Sequence, residues 1–382
     1  MHLKACVISS PFYKTSWAPF DCPEFEMAKI LVIGGLSFKG RHFCQYIKQH
    51  DVASKLCVVD KGVPEVSFLD AASEDAIIPY YVQGDMGNPT HVERVFSLEN
   101  WDWVFNVGPD VPANLDDKVY EHAVLRASVL PAKKAAQLRV KFFLHLSSYL
   151  VYEPTGKLKF EEGSGVRPTT KAGRWKYKAE LELEKLKGQG LNLVILRPAI
   201  VYGPYGPIEA CAKLVLLGDP EIGQHQVSVK DVSKAMIHLA RWYEPIHKTA
   251  PVFNLADKSD LRLYNMAMLY SQVHEIKVEF VRSRLLPGEY YSQMDDEILS
   301  TWSDILKMAN ISVTPLAPQF HSGLFDLPEV CVDGTKIERE TAFVYDHPYI
   351  SADDEFGVLR DYIRRKMWPK VLGKGQVERM QK

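Results

Sequence analysis

The sequence predicts an α/β protein, a doubly wound parallel sheet covered by helices on both faces, with a smaller and mostly C-terminal lobe. Three observations lead there. Strand and helix patterns alternate through the first 205 residues. A glycine pair follows the first strand pattern at Gly34-Gly35. The alternation stops after about residue 205 and gives way to short, Gly/Pro-punctuated segments.

Strands are expected at 29–34, 55–60, 77–83, 102–107, 141–147 and 191–197, and helices at 39–50, 89–98, 116–137 and 171–188. Pro131 should kink the third helix, because it lacks the N–H of an interior helical position. Val227 to Val232 and Val252 to Leu255 are expected as late strands that return to the sheet. Strands separated by helices pair in parallel and are buried on both faces. The domain reading is an N-terminal extension at 1–27, a core domain at 28–205 and 225–260, a substrate-binding lobe at 206–224 and 261–370, and a basic tail at 371–382.

The apolar run Ile30 to Ile33 ends in Gly34-Gly35, and Gly40 follows just inside the next helix. Gly34 permits a tight turn, and Gly40 permits close packing of helix on sheet. The helix N-terminus then faces a pyrophosphate with free N–H groups and the positive end of its dipole. The second strand ends in Asp60, at the distance where a carboxylate grips a ribose 2′-hydroxyl. An anion there disfavours a 2′-phosphate, so the pattern predicts a Rossmann domain that takes NAD rather than NADP. Ligands of such sheets sit at the strands' carboxyl ends. Gly84-Asp85-Met86, Val107-Gly108-Pro109, Ser147-Ser148 and Arg197-Pro198 all fall there.

Composition narrows the partners. With 46 basic and 48 acidic residues the net charge is −2, which offers no bulk drive toward nucleic acid or an anionic membrane. Six cysteines, at 6, 22, 44, 57, 211 and 331, show no C-x-x-C pairing and suit a reducing compartment. Twelve histidines show no metal-ligand spacing. No apolar run reaches the ~18 residues of a membrane span. Residues 1–26 hold Pro11, Pro19 and Pro23, the acids Asp21, Glu24 and Glu26, and no arginine, which argues against a transit peptide. The expected setting is the cytoplasm.

These pieces together resemble the NAD-dependent epimerase/dehydratase family, the extended short-chain dehydrogenase/reductases, from about residue 28 to about 260. Leu146-Ser147-Ser148-Tyr149-Leu150-Val151-Tyr152, Lys178 to Glu182, Arg197 to Pro204, Val229 to Val232 and Phe253-Asn254-Leu255 carry the likeness beside the motifs above. The resemblance implies a cofactor site built from Gly34, Gly35, Leu36, Ser37, Phe38, Gly40, Asp60, Lys61, Asp85, Met86, Val107, Gly108, Lys178, Pro198, Ile200 and Val201. Asp85 and Met86 would flank the adenine. It also implies a Ser, Tyr, Lys trio: the serine holds the reacting oxygen, the tyrosine moves the proton, and the lysine lowers the tyrosine pKa and binds the nicotinamide ribose.

Ser148, four before Tyr152, matches the serine, and Lys178 is aligned with the lysine. The residue four before Lys178 is Arg174, not tyrosine. A guanidinium stays protonated and cannot act as the acid/base, although it can anchor an anion. One turn apart, Arg174 and Lys178 should share the cleft face. Another tyrosine would then have to serve. Tyr149 and Tyr205 are candidates, while Tyr177 stands about 100° from Lys178. Ser37 occupies the middle-glycine position, and its hydroxyl could donate to a phosphate. That departure resembles an atypical branch that includes the chloroplast stem-loop-binding proteins, in which the trio is eroded and RNA binding is assigned. The stretch Glu161-Glu162 to Lys171 is part of that likeness.

Three readings follow. The first is an NAD-dependent enzyme acting on a secondary alcohol or carbonyl of a sugar-like or polyhydroxylated small molecule, with catalytic residues among Ser148, Lys178, Arg174 and Tyr149. The second is a catalytically silent NAD-binding module with a protein or RNA partner. The third is non-redox chemistry on the same fold. The first is favoured, with a small-molecule substrate, no membrane, nucleic acid as the lesser partner, and a homodimer left open.

Overall fold

The computed structural model describes residues 27–108, 111, 115–154, 159–205, 213–217, 219–243, 251–275, 277–281, 299–300, 302–314, 316 and 329–369. The expected N-terminal extension and basic tail lie outside these, apart from Met27.

Seven strands form one parallel sheet: β1 (Ala28–Ile33), β2 (Ala53–Asp60), β3 (Tyr81–Gln83), β4 (Trp103–Asn106), β5 (Phe142–Leu146), β6 (Leu193–Pro198) and β10 (Val252–Leu255). Their order is β10-β6-β5-β4-β1-β2-β3. The chain runs outward from β1 to β3 and then crosses back to β4, so β1 and β4 flank the switch point where such sheets bind ligands. Helices α1 (Phe38–Gln49), α2 (Ala71–Ile77), α3 (Pro89–Phe96), α4 (Asp117–Tyr120), α5 (Ala127–Gln137), α6 (Lys171–Lys187) and α7 (Val229–Tyr243) cover the two faces. Alternate residues of one strand feed opposite cores. On β5, Phe142, Leu144 and Leu146 pack toward α1 and α7, and Phe143 packs toward α3, α5 and α6.

Three expectations are corrected. The strand expected at 77–83 exists only at 81–83. The Asp70 carboxylate accepts from Ser73 N–H at 2.9 Å and starts a helix instead. Pro79, inside the 3₁₀ turn Ile78–Tyr80, has no N–H for a sheet ladder. The strand expected over 227–232 is β9 (Gln226–Ser228), which pairs with β7 (Ile200–Tyr202), and Val229 already opens α7. Val232, Ala235, Met236 and Leu239 bury one helical face there, and that spacing outweighs the short apolar run. The helix expected over 116–137 is interrupted by π-type turns over Glu121–Arg126. Pro131 sits inside α5, and the Ala127 carbonyl, its i−4 neighbour, takes the Asn106 amide at 3.5 Å.

The lobe contains α8 (Leu263–His274), a parallel pair of β8 (Lys213–Leu217) and β11 (Lys277–Val281), and two late helices, Thr335–Thr341 and Ala352–Arg364. Segment 329–333 ties the lobe to the core. Val330 bridges Gln224 and Val332 bridges Phe160, and both pack with Ala199 and Ala256. Cys44, Cys57 and Cys331 are free and buried. Among the described residues no helix is long and apolar enough to cross a membrane, and no group of three His, Cys, Asp or Glu is placed to hold a metal ion.

Candidate active site

The β1–α1 turn is built by its glycines. Gly34 has φ +87°, and its N–H bonds Val59 O at 2.7 Å. A Cβ on Gly40 would lie 2.1 Å from Gly34 O, so only glycine lets α1 start this close to the strand. Ser37 is the N-cap of α1. Its hydroxyl donates to Gly34 O at 2.7 Å and accepts from Gly40 N–H at 3.1 Å. The hydroxyl expected to donate to a phosphate therefore locks the turn instead, because it has one proton and the carbonyl takes it.

Asp60 closes β2 beside this turn. Its carboxylate accepts from Leu36 N–H and from Gly62 N–H, each at 3.1 Å, and Lys61 next to it is exposed. Val107 and Gly108 follow β4, with Gly108 at φ +66°. The Asp85 carboxylate accepts from Gly87 N–H at 2.9 Å and pairs with His122 Nε2 at 2.7 Å. Burial raises its pKa, but these two partners outweigh it and hold the group below its ordinary value. Met86 is buried beneath it, against α3 and β4.

A cavity of about 260 Å³ opens at the carboxyl ends of β1, β5 and β6. Phe38 and Lys39 line it from α1, Tyr120 from α4, Ser147, Ser148, Tyr149 and Leu150 from the end of β5, Ala172 and Lys176 from α6, and Pro198, Ile200 and Val201 from the end of β6. Ser148, Tyr149, Phe38, Pro198, Ile200 and Val201 are thus brought together as expected from the sequence.

Arg174 and Lys178 are not, and this corrects both placements. Both side chains are exposed. Arg174 Nη1 donates to Thr169 O at 2.7 Å, and Lys178 Nζ lies 4.4 Å from the centre of the Trp175 ring on the outer face of α6. The rotation of α6 is set where it meets the end of β5. A Cβ on Gly173 would fall 2.0 Å from Leu150 O, so glycine must face that carbonyl. Ala179, Glu180 and Leu183 continue the buried face. That phase turns Ala172 and Lys176, one turn apart, into the cavity and sends residues 174 and 178 to solvent.

Ser148 Oγ caps the following turn, accepting from Leu150 N–H at 3.3 Å. Ser147 is 2% exposed, and its hydroxyl has no partner among the described residues. Burial pushes the Tyr149 phenol up to about 12. The other tyrosines face elsewhere. Tyr177 packs on Val151, Tyr152 and Phe160. The Tyr205 ring sits between the guanidiniums of Arg41 and Arg365, whose carbons are 5.5 and 4.9 Å from its centre. His145, buried beneath the cavity, is pushed down to about 3 by burial and then by the charge of Lys176.

A buried ionic bridge holds α6 to β6. Arg197 donates from Nε to Glu180 Oε1 at 3.1 Å and from Nη2 to Oε2 at 2.5 Å. Arg197 Nη1 donates to the Tyr152 hydroxyl at 2.9 Å, which donates to Asn254 Oδ1 at 2.8 Å. Burial works against the guanidinium charge, and Glu180 more than offsets it, so the Arg197 pKa rises. This network fixes the spacing between Lys176 and the Pro198–Val201 wall.

Residues 30–256 match the family model for the NAD dependent epimerase/dehydratase family. The chain belongs to that family. No curated protein matches it in sequence. Among solved structures it is similar to a UDP-N-acetylglucosamine 4-epimerase from Methanobrevibacter ruminantium in complex with UDP-N-acetylmuramic acid, with TM-score 0.66 and 19% identity over 89% of this chain and 100% of that one. It is also similar to a dTDP-glucose 4,6-dehydratase from Streptomyces venezuelae with NAD bound, with TM-score 0.64 and 18% identity over 90% and 99%. A third is the Thermus thermophilus UDP-glucose 4-epimerase complex with NAD, with TM-score 0.56 and 18% identity over 68% and 88%. Identities this low show a shared fold.

NAD is the cofactor of the family, and the residues fit it. The glycine turn leaves the start of α1 open at the sheet's carboxyl edge, Asp60 stands where a ribose diol would sit, and the cavity carries Lys176, an ammonium in reach of hydroxyl ligands. Asp60 belongs to an NAD rather than an NADP pattern, and Lys61 is the only cation next to it in sequence. Lys176, Ala172 and Lys39 were missed from sequence. The signal that could have found Lys176 and Ala172 is the helical spacing of small and apolar residues at 172, 173, 179, 183 and 186.

Proposed function

We propose that the protein is an NAD-dependent enzyme that interconverts a secondary alcohol and a carbonyl on a sugar-like small molecule, most simply the sugar of a nucleotide sugar. The observation that carries this reading is the convergence of Ser148, Tyr149 and Lys176 on one cavity at the carboxyl edge of the sheet. The named activities of the structurally similar epimerases and dehydratase support the substrate class. NAD supplies or accepts the hydride when bound.

The chain's own groups divide the remaining work. Ser148, with Ser147 behind it, hydrogen-bonds the reacting oxygen. Lys176 holds hydroxyls by charge-assisted hydrogen bonds. Ala172, one turn before Lys176 on α6, has no proton to give. Tyr149 takes that part: its phenol, pushed up to about 12, is protonated at neutral pH and donates to a carbonyl oxygen. Solvent then restores the phenol. Val124, Leu150 and Ile200 give the cavity its apolar walls.

The test is turnover of a panel of UDP- and dTDP-sugars, with their keto forms, followed by NADH absorbance and product analysis. Tyr149→Phe should lower the rate by about 100-fold or more. Equal rates in the variant would remove Tyr149 from the mechanism. Ala172 favours a second reading, an NAD-binding module without catalysis. NAD binding with no turnover across the panel would support that one.

A further inference from the structure

A second cavity, of about 540 Å³, lies between α1, α7 and the helix Ala352–Arg364. Its walls are unusual for a helix contact. From α1 it is lined by His42, Gln45, Tyr46 and Gln49, spaced i, i+3, i+4, i+7. From the late helix it is lined by Gly357, Arg360, Asp361 and Arg364, at the same spacing. Two helices that pack directly present apolar stripes at these positions. Here both stripes are polar, and they stand apart across a cleft whose size suits a small ligand.

The charge of the cleft selects the ligand. Its three carboxylates have partners within the protein. Asp70 accepts from Ser73 N–H at 2.9 Å, Asp346 pairs with Lys234, and Asp361 pairs with Arg365 at 3.6 Å. Lys230, Arg360 and Arg364 line the same cleft with no carboxylate in ion-pair reach among the described residues. Arg360 and Arg364 are one turn apart on the helix face that lines the cleft, and the guanidinium fork matches a phosphoryl group. The floor is rigid: Tyr205, at φ +66°, is held between Arg41 and Arg365, and His42 Nε2 bonds Pro204 O at 2.6 Å. A strained bulky residue persists only where its surroundings over-determine it, which keeps the cleft open.

We propose that this cleft is a second ligand site, separate from the NAD cavity, that binds a phosphate-bearing small molecule through Arg360, Arg364 and Lys230. The proposal does not depend on the catalytic reading.

Isothermal titration of the full chain tests it, with NADH saturating so that the dinucleotide site is filled. The probes are inorganic phosphate, inorganic pyrophosphate and a hexose phosphate. Saturable binding of at least one is expected. Tighter binding of the hexose phosphate identifies an organic ligand, and tighter binding of pyrophosphate identifies the phosphoryl group alone. Arg360→Gln with Arg364→Gln should weaken that binding about tenfold or more, the loss of one charge-assisted hydrogen bond. A Cβ on Gly357 meets nothing within 4 Å, so Gly357→Glu folds without a clash, places a like charge in the cleft and should abolish binding. Lys230→Gln, on a different helix, repeats the test should the double variant fold poorly. Absence of saturable binding, or equal affinity in the wild type and Gly357→Glu, would overturn the proposal. So would binding only of a long polyanion.

Discussion

Ala172 stands one turn before Lys176 on α6, and both line the same cavity. The Lys176 ammonium therefore has a methyl group one turn before it, with no phenol on that turn.

Ala172→Tyr should restore the missing phenol. With Lys176 one turn away, the new phenol gains a cation that lowers its pKa. Turnover on any accepted nucleotide sugar should rise about tenfold or more, since a placed general acid contributes at least that much. Arg174→Tyr is the register control and should change nothing. A gain from Arg174→Tyr without one from Ala172→Tyr would overturn the orientation of α6.

Lys176→Met should weaken NAD binding by about 1–3 kcal/mol, the worth of charge-assisted hydrogen bonds to hydroxyls. Lys178→Met should leave it within about 0.5 kcal/mol, because that ammonium lies on the solvent face over Trp175. Calorimetric titration of the two variants separates them.

Asp60→Ala should narrow a preference for NADH over NADPH. Removing the carboxylate also frees Leu36 N–H and Gly62 N–H, so affinity for both cofactors should fall while their ratio moves toward one. An unchanged ratio would place cofactor discrimination elsewhere.

Breaking one side of the Arg197–Glu180 bridge should be costly. Arg197→Met leaves a buried carboxylate unpaired, for about 3–5 kcal/mol. Arg197→Met with Glu180→Leu should cost less than Arg197→Met alone, because no orphan charge remains. Denaturant unfolding of the three proteins gives the comparison, and a double variant less stable than the single one would refute the argument.

Asp257 supplies a pH dependence. Burial, followed by the neighbouring Asp231 and Asp354 carboxylates, outweighs its bonds to Ser259 and pushes its pKa up to about 6 from 3.8. The folded chain then holds a proton that the unfolded chain has released between about pH 4 and 6. Stability contributed by this group falls as pH rises through that window and is flat above it. Asp257→Asn should remove this part of the slope and stabilise the protein at pH 7 by about 1–3 kcal/mol. Identical pH profiles for the two proteins would show that Asp257 titrates normally.

The sequence by itself determined the sheet, its parallel sense and the place of the cofactor turn. Apolar runs ending in Gly34 and Asp60 carry their meaning locally, because turn geometry and strand burial depend on adjacent residues. It also located Ser148 and Tyr149, which follow directly from the end of β5. Where the sequence reading went wrong was the rotation of α6, which it set with Arg174 and Lys178 on the cleft face. Lysines at 171, 176, 178, 185 and 187 surround that helix, so spacing alone offers several ways to bring one into the cleft. The tertiary structure chose between them through two long-range contacts, Gly173 against the Leu150 carbonyl and Glu180 against Arg197. The same holds for the polar cleft between α1 and the late helix, whose walls are some 310 residues apart in the chain and meet only after folding. A helix shows its periodicity in sequence, but which side faces inward is decided by what it packs against.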